Sequence, residues 1–206
     1  MAQAMGINPM AKLEGNELAM IGEKVLSRFD DILSRYSEKK YPEDVYKIIR
    51  NVFSSRSEEN GEIENALKWK WGHWDKENYP NHHKELIRIV KLSWKDFVWQ
   101  KTKTPRATFD YWINKLGKRH RYISVAFLTH LVHPQYVPII DQHNYRAMNH
   151  YMVEVRSEWK VKKKPSTWED IQSLADFLVS LSTHLKIDMR EVDKYLMMFG
   201  KYYAQR

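Results

Sequence analysis

Residues 122 to 132, "YISVAFLTHLV", place Ile123, Val125, Ala126, Phe127, Leu128, Leu131 and Val132 on most sides of a helix. A helix with no polar face has to be enclosed by other elements, so this segment predicts a central buried helix around which the remainder packs. Pro134 and Pro138 follow it, and a proline can neither donate its amide nor continue a helix, so the buried helix ends there. The chain then runs extended through Val137-Pro138-Ile139-Ile140 into Asp141-Gln-His-Asn-Tyr-Arg146, a loop-to-helix boundary at which Asp141 starts a helix reaching about His150.

The other segments repeat their apolar residues at helical spacing. Leu18, Ile21, Val25, Phe29, Ile32, Leu33 and Tyr36 form one amphipathic stripe, and a helix from about Pro42 is expected to bury Val45, Ile48, Ile49, Val52 and Phe53. "SSRSEENGE" reads as a loop, and a helix from Asn81 has Leu86, Ile89 and Val90 on its inner face. Thr104-Pro105 is an N-cap followed by proline at the first helical position, ahead of Phe109, Trp112, Ile113 and Leu116. Thr167 and Asp188 start the last two helices, the latter with Glu191 spaced as in a capping box. The final helix buries Val192, Tyr195, Leu196 and Phe199, with Tyr203 at the end of its stripe. No strand alternation and no internal repeat is visible, so the chain is expected to be all-α with about nine helices.

With 206 residues, 43% hydrophobic and 29% charged, the chain can bury a full core and is not of disordered composition. No apolar run approaches the ~20 residues of a membrane span, and the first twenty residues lack the pattern of a secretory signal. The absence of cysteine excludes disulfides, thiolate metal sites and thiol nucleophiles, and agrees with a cytoplasmic protein. The net charge of +8 is segregated. Lys95, Lys101, Lys103, Arg106, Lys115, Lys118, Arg119 and Arg121 face only Asp96 and Asp110, and Arg156, Lys160, Lys162, Lys163 and Lys164 face only Glu154 and Glu158. Residues 14 to 64 are acidic by comparison, and this separation favours an anionic partner.

The turn "NKLGKRHRYI", residues 114 to 123, joins two helices and carries Lys118, Arg119, His120 and Arg121. Its cations and backbone amides suit a phosphate, although an ordinary solvated turn between helices has the same composition. With the following apolar helix and "VPIIDQHNYR", this region resembles the helix–hairpin–helix DNA glycosylase superfamily, the endonuclease III-like base-excision enzymes. Pro138, Asp141, His143 and Arg146 carry the likeness over about 35 residues. The resemblance implies a two-lobed helical fold over residues 16 to 206, with 105 to 150 holding the hairpin and aspartate; residues 1 to 15 are separately expected to form a flexible N-terminus.

It further implies DNA as partner, no cofactor, and Asp141 as the carboxylate that stabilises positive charge on the sugar as the base leaves. A fixed negative charge does this more strongly in the transition state than in the ground state. Aligning Leu116 with the family's hairpin leucine puts Gly117 at its proline and Lys118 and His120 at its two glycines. Tyr122 then stands where bifunctional members carry a Schiff-base lysine, which leaves base hydrolysis without a lyase step and makes Tyr122 a secondary catalytic candidate. Lys118, Arg119, His120, Arg121 and Arg146 are the candidate nucleic-acid contacts. The alternatives are a non-enzymatic nucleic-acid-binding protein of the same fold and an unrelated helical interaction module.

Two further clusters bear on function. In "LKWKWGHWDKENYPNHH", Trp69, Trp71 and Trp74 alternate with Lys68, Lys70 and Lys76, as in base-stacking platforms, although large aromatics more often pack between helices. His130 and His133 with Asp141 and His143 can be drawn as a metal site, but Pro134 ends the helix at once, which favours a helix-end or buried hydrogen-bonded role. His82 and His83 belong to a helix start. Asp141 itself is among the best N-caps, and capping accounts for it without catalysis unless a second role is found.

Overall fold

The computed structural model describes residues 11–55, 62–100, 104–117 and 121–204. Among these the chain is all-helical, with ten helices and no strand: α1 Gly15–Leu26, α2 Phe29–Leu33, α3 Glu43–Ser55, α4 Ile63–Lys70, α5 Asn81–Trp99, α6 Pro105–Leu116, α7 Tyr122–Val132, α8 Gln142–Val155, α9 Trp168–Leu185 and α10 Met189–Tyr202. No helix among the described residues is long and apolar enough to cross a membrane. The chain divides into two compact units, residues 37–139 and residues 1–36 with 140–206. The segment read as one hairpin-and-aspartate core is therefore shared between them: α6 and α7 fall in one unit and Asp141 in the other.

In the 37–139 unit, α7 packs against α3, α4 and α6, and α5 packs against α4 and α6. Every residue of α7 except Ile123 is buried, as its unrelieved apolar character requires. Two polar residues at its end are satisfied internally. His130 Nδ1 donates to the Val137 carbonyl at 2.6 Å, since a carbonyl can only accept. In the neutral ring that leaves Nε2 to accept from the Tyr46 hydroxyl, also at 2.6 Å. His133 Nε2 pairs with Thr108 Oγ1 at 2.9 Å. These histidines hold the chain as it turns out of α7, and no group of three metal-ligating side chains converges among the described residues. Tyr46 thus takes the inward place on α3 together with Ile49 and Phe53, and Ile48, expected inside, is 57% exposed.

In the other unit, α10 packs against α2, α8 and α9, and α1 packs against α9. The stripe read as one helix from Leu18 to Tyr36 is broken. Ser27 Oγ donates to the Lys24 carbonyl and Arg28 leaves helical φ at −131°, after which α2 starts at Phe29, stacked on Tyr195 of α10 at 5.3 Å. Ala11 and Leu13, placed with the loose N-terminus, are buried, and the Leu13 amide donates to Ser180 Oγ at 3.3 Å. Tyr203 lies outside the core, 38% exposed, with the guanidinium groups of Arg28 and Arg35 over its ring at 5.0 and 5.3 Å.

The basic segment after α8 is anchored rather than splayed. Arg156 makes a two-pronged pair with Glu17 at 2.7 and 2.8 Å, and the buried Trp159 indole donates to Asn149 Oδ1 at 2.7 Å. Asp170 is the knot: Oδ1 accepts from Lys162 at 2.7 Å and Tyr145 at 2.6 Å, and Oδ2 from the amides of Ser166 and Thr167 at 2.8 and 3.0 Å. Burial pushes this carboxyl up, but the donors from Lys162, Tyr145 and Ser166 outweigh burial and hold it below the usual carboxylate range.

A group whose folded value is depressed contributes stability that is present above the unfolded value, about 3.9, and lost as pH falls through the folded one. Asp170→Asn is therefore expected to cost about 2 kcal/mol at neutral pH. It should also flatten the loss of stability below about pH 4, measured by urea titration across pH. An acid limb unchanged by the substitution would dissociate Asp170 from that loss.

Candidate functional site

Val137, Pro138, Ile139 and Ile140, the extended segment that precedes α8, are all buried. Asp141 follows, half-buried and with extended backbone, φ −143° and ψ −177°. Its Oδ1 accepts from the amides of His143 at 2.7 Å and Asn144 at 3.0 Å, while Asn144 Oδ1 accepts from the Asp141 amide at 2.9 Å. This reciprocal cap occupies the positive end of the α8 dipole. Asn144 Nδ2 continues to the buried Asp193 of α10 at 2.8 Å, and Arg190 reaches the other oxygen of Asp193 at 3.3 Å.

The first turn of α8 is also held by shape. Gly200 of α10 lies against it so closely that an added Cβ would overlap the His143 carbonyl oxygen. Asn144, Asp193 and Gly200 were not singled out from the sequence. An amide residue three places after a capping aspartate was a legible signal for Asn144.

The helix pair in the other unit begins as its sequence implies, with Thr104 Oγ1 accepting from the Ala107 amide at 3.2 Å ahead of Pro105. It turns at Gly117, whose φ of 78° suits glycine, although a Cβ there would meet nothing within 4 Å. Lys118, Arg119 and His120 lie outside the described residues. Arg121 Nη1 donates to the Leu116 carbonyl at 3.0 Å, so its guanidinium helps cap α6. Tyr122 is buried, 8% exposed, with its ring edge-on to Phe109 at 5.7 Å, and its place is in the core and not at a reacting surface.

Trp69 does not fit the stacking role assigned to it. It is 2% exposed and packs between Tyr46 at 5.1 Å and Phe127 at 5.9 Å, with its indole donating to the Pro42 carbonyl at 3.0 Å. Neither face is left for a base. Trp71 is half-buried and stacked on His83 at 3.7 Å, and Trp74 is half-buried. Burial, with His82 and His73 alongside, lowers His83 to about 4, so this ring is neutral at physiological pH. His82 and His83 stand in the first turn of α5, as expected.

The basic segments are partly neutralised within the protein. Arg106 pairs with Asp110 at 2.9 Å and Lys115 with Asp96 at 2.9 Å. Arg146 on α8 makes a long contact to Gln142 Oε1, at 3.4 Å, rather than a salt bridge. Arg146 lines a cleft with Asn149, His150, Val153, Val161 and Lys163, and Asp141 is not among the residues of that cleft. The aspartate and arginine that stand out together in the sequence therefore serve different places on α8. No family model matches the chain, and no curated protein and no solved structure matches it significantly.

Proposed function

We propose that the chain binds DNA and hydrolyses an N-glycosidic bond in it, in the manner of the helix–hairpin–helix glycosylases, with Asp141 as the essential carboxylate. The observation that carries this reading is the placement of Asp141: half-exposed, held by two backbone amides, at the head of a helix tied to α10 through Asn144 and Asp193. A carboxylate fixed in advance stabilises developing positive charge without reorganising at the moment of reaction. In the reaction the bond between C1′ and the base nitrogen breaks, a water oxygen bonds to C1′, one water proton passes through Asp141 to solvent, and the departing base takes up a proton. No lysine stands at the position a lyase step requires, so the reaction ends at base release. Backbone phosphates fall to the cations of the α6–α7 turn.

One observation favours a binding protein without chemistry: capping α8 already accounts for Asp141. The deciding experiment uses the full chain and a panel of duplexes carrying mismatched or damaged bases. Binding is expected to weaken steeply as salt rises, because each phosphate contact releases counterions, and free base is expected to accumulate from at least one duplex. Absence of binding at low salt would sink both DNA-directed readings, and salt-dependent binding with no base released from any duplex would leave the binding protein.

A further inference from the structure

The cleft on the unit formed by residues 1–36 and 140–206 has a chemistry of its own. Its volume is about 510 Å³, within the range of small-molecule sites. One wall is a stripe of α8, Arg146, Asn149, His150 and Val153, at the i, i+3, i+4, i+7 spacing of a single helix face; the other is Val161, Lys162 and Lys163 of the segment before α9.

Charges in the cleft are unevenly committed. Glu154 is engaged by Lys24 at 2.7 Å and by His150 at 3.4 Å, and Lys162 by Asp170 at 2.7 Å. No carboxylate pairs with Arg146 or Lys163 among the described residues, and these two cations open onto the same space. Beside them Val153 and Val161 remain 44% and 63% exposed. The walls are set in advance, since the Trp159 indole and the Lys162 carbonyl both bind the buried Asn149, and Asp170 fixes the end of the segment.

We infer that this cleft binds a phosphate ester with an apolar or aromatic organic part, the phosphate on Arg146 and Lys163 and the organic part against Val153 and Val161. Two cations without acid partners match a dianion better than a carboxylate, and guanidinium suits the paired oxygens of a phosphate. The ester is either a free small molecule or a nucleotide of a DNA strand. Asp141 takes no part.

The test is calorimetric titration of the full chain with phenyl phosphate, with inorganic phosphate and phenol as half-probes. Phenyl phosphate is expected to bind at least tenfold more tightly than either half-probe. Arg146→Gln and Lys163→Gln should each weaken it at least tenfold and Val161→Asp should abolish the advantage over inorganic phosphate, whereas Lys164→Gln, outside the cleft, leaves binding unchanged. A DNA duplex that displaces phenyl phosphate identifies the strand as the source, and phenyl phosphate binding that persists beside bound duplex identifies a free ester. Equal affinity for phenyl phosphate and inorganic phosphate, or undiminished binding by Arg146→Gln and Lys163→Gln, would overturn the proposal. Asp141→Asn, which tests the glycosylase reading, is expected to leave phenyl phosphate binding intact, so either idea can fail without the other.

Discussion

Gly200→Ala is expected to destabilise the protein by about 2 kcal/mol or more, although alanine is the better helix former by about 1 kcal/mol. The sign follows from what the new methyl meets. At Gly200 it would overlap the His143 carbonyl oxygen and lie 3.1 Å from the His143 Cα. Those are backbone atoms of α8 and cannot rotate away, so α8 and α10 must part. Overpacking into a yielding core costs about 1–3 kcal/mol, and a rigid backbone obstacle stands at or beyond the top of that range, which exceeds the propensity gain.

Gly22→Ala is the matched control. Its methyl would approach the end of the exposed His184 side chain at 2.8 Å and the Leu185 Cδ2 at 3.3 Å, both free to yield by small rotations, so the effect there is expected to be near zero. Thermal melts should show a loss of about 4–8 °C for Gly200→Ala against little change for Gly22→Ala. Equal melting temperatures for the two variants would disprove the close approach of α8 and α10. Because His143 is two residues past Asp141, the Gly200 substitution should also disturb the reciprocal cap and reduce any activity that depends on it.

What the sequence discloses here is whatever is local. Thr104, Asp141, Thr167 and Asp188 all cap helices where side-chain chemistry alone places them, and the unbroken apolar face of α7 leads directly to its burial. The break between α1 and α2 was not visible because the apolar stripe passes through Ser27 and Arg28 in register, and Phe29 is drawn out of that register by Tyr195, 166 residues away in sequence. Helix α4 was missed because eight residues give too few turns for a period to stand out. Once it forms, Trp69 continues the face of Ile63, Ala66 and Leu67, which is why this tryptophan is buried while Trp71, past the helix end, is not. Charge was legible as composition but not as pairing: Arg156 is spent on Glu17, 139 residues distant. The cleft is illegible in the sequence for the same reason, since Arg146, Val161 and Lys163 meet only when α8 and the segment before α9 fold together.

Asp141→Asn and Asp141→Ala separate the two roles open to that residue. Asparagine caps helices about as well as aspartate, so its side-chain oxygen can still accept from the amides of His143 and Asn144, and stability is expected to change by only a few tenths of a kcal/mol. Alanine removes the acceptor and should cost about 1 kcal/mol. Activity is expected to sort differently. The amide keeps the geometry but not the negative charge, so single-turnover release of base should fall in both variants by about 10²–10³-fold, the usual consequence of deleting one fixed electrostatic stabiliser. A loss of that size in the asparagine variant, with its melt and its duplex affinity unchanged, can come only from the charge. Base release undiminished in Asp141→Asn, with stability lost only in Asp141→Ala, would reduce Asp141 to a helix cap and transfer the chemistry to some other group. The comparison works because α8 is held independently by Asn144 on Asp193 and by Gly200 on His143, so the site keeps its shape when the charge alone is removed.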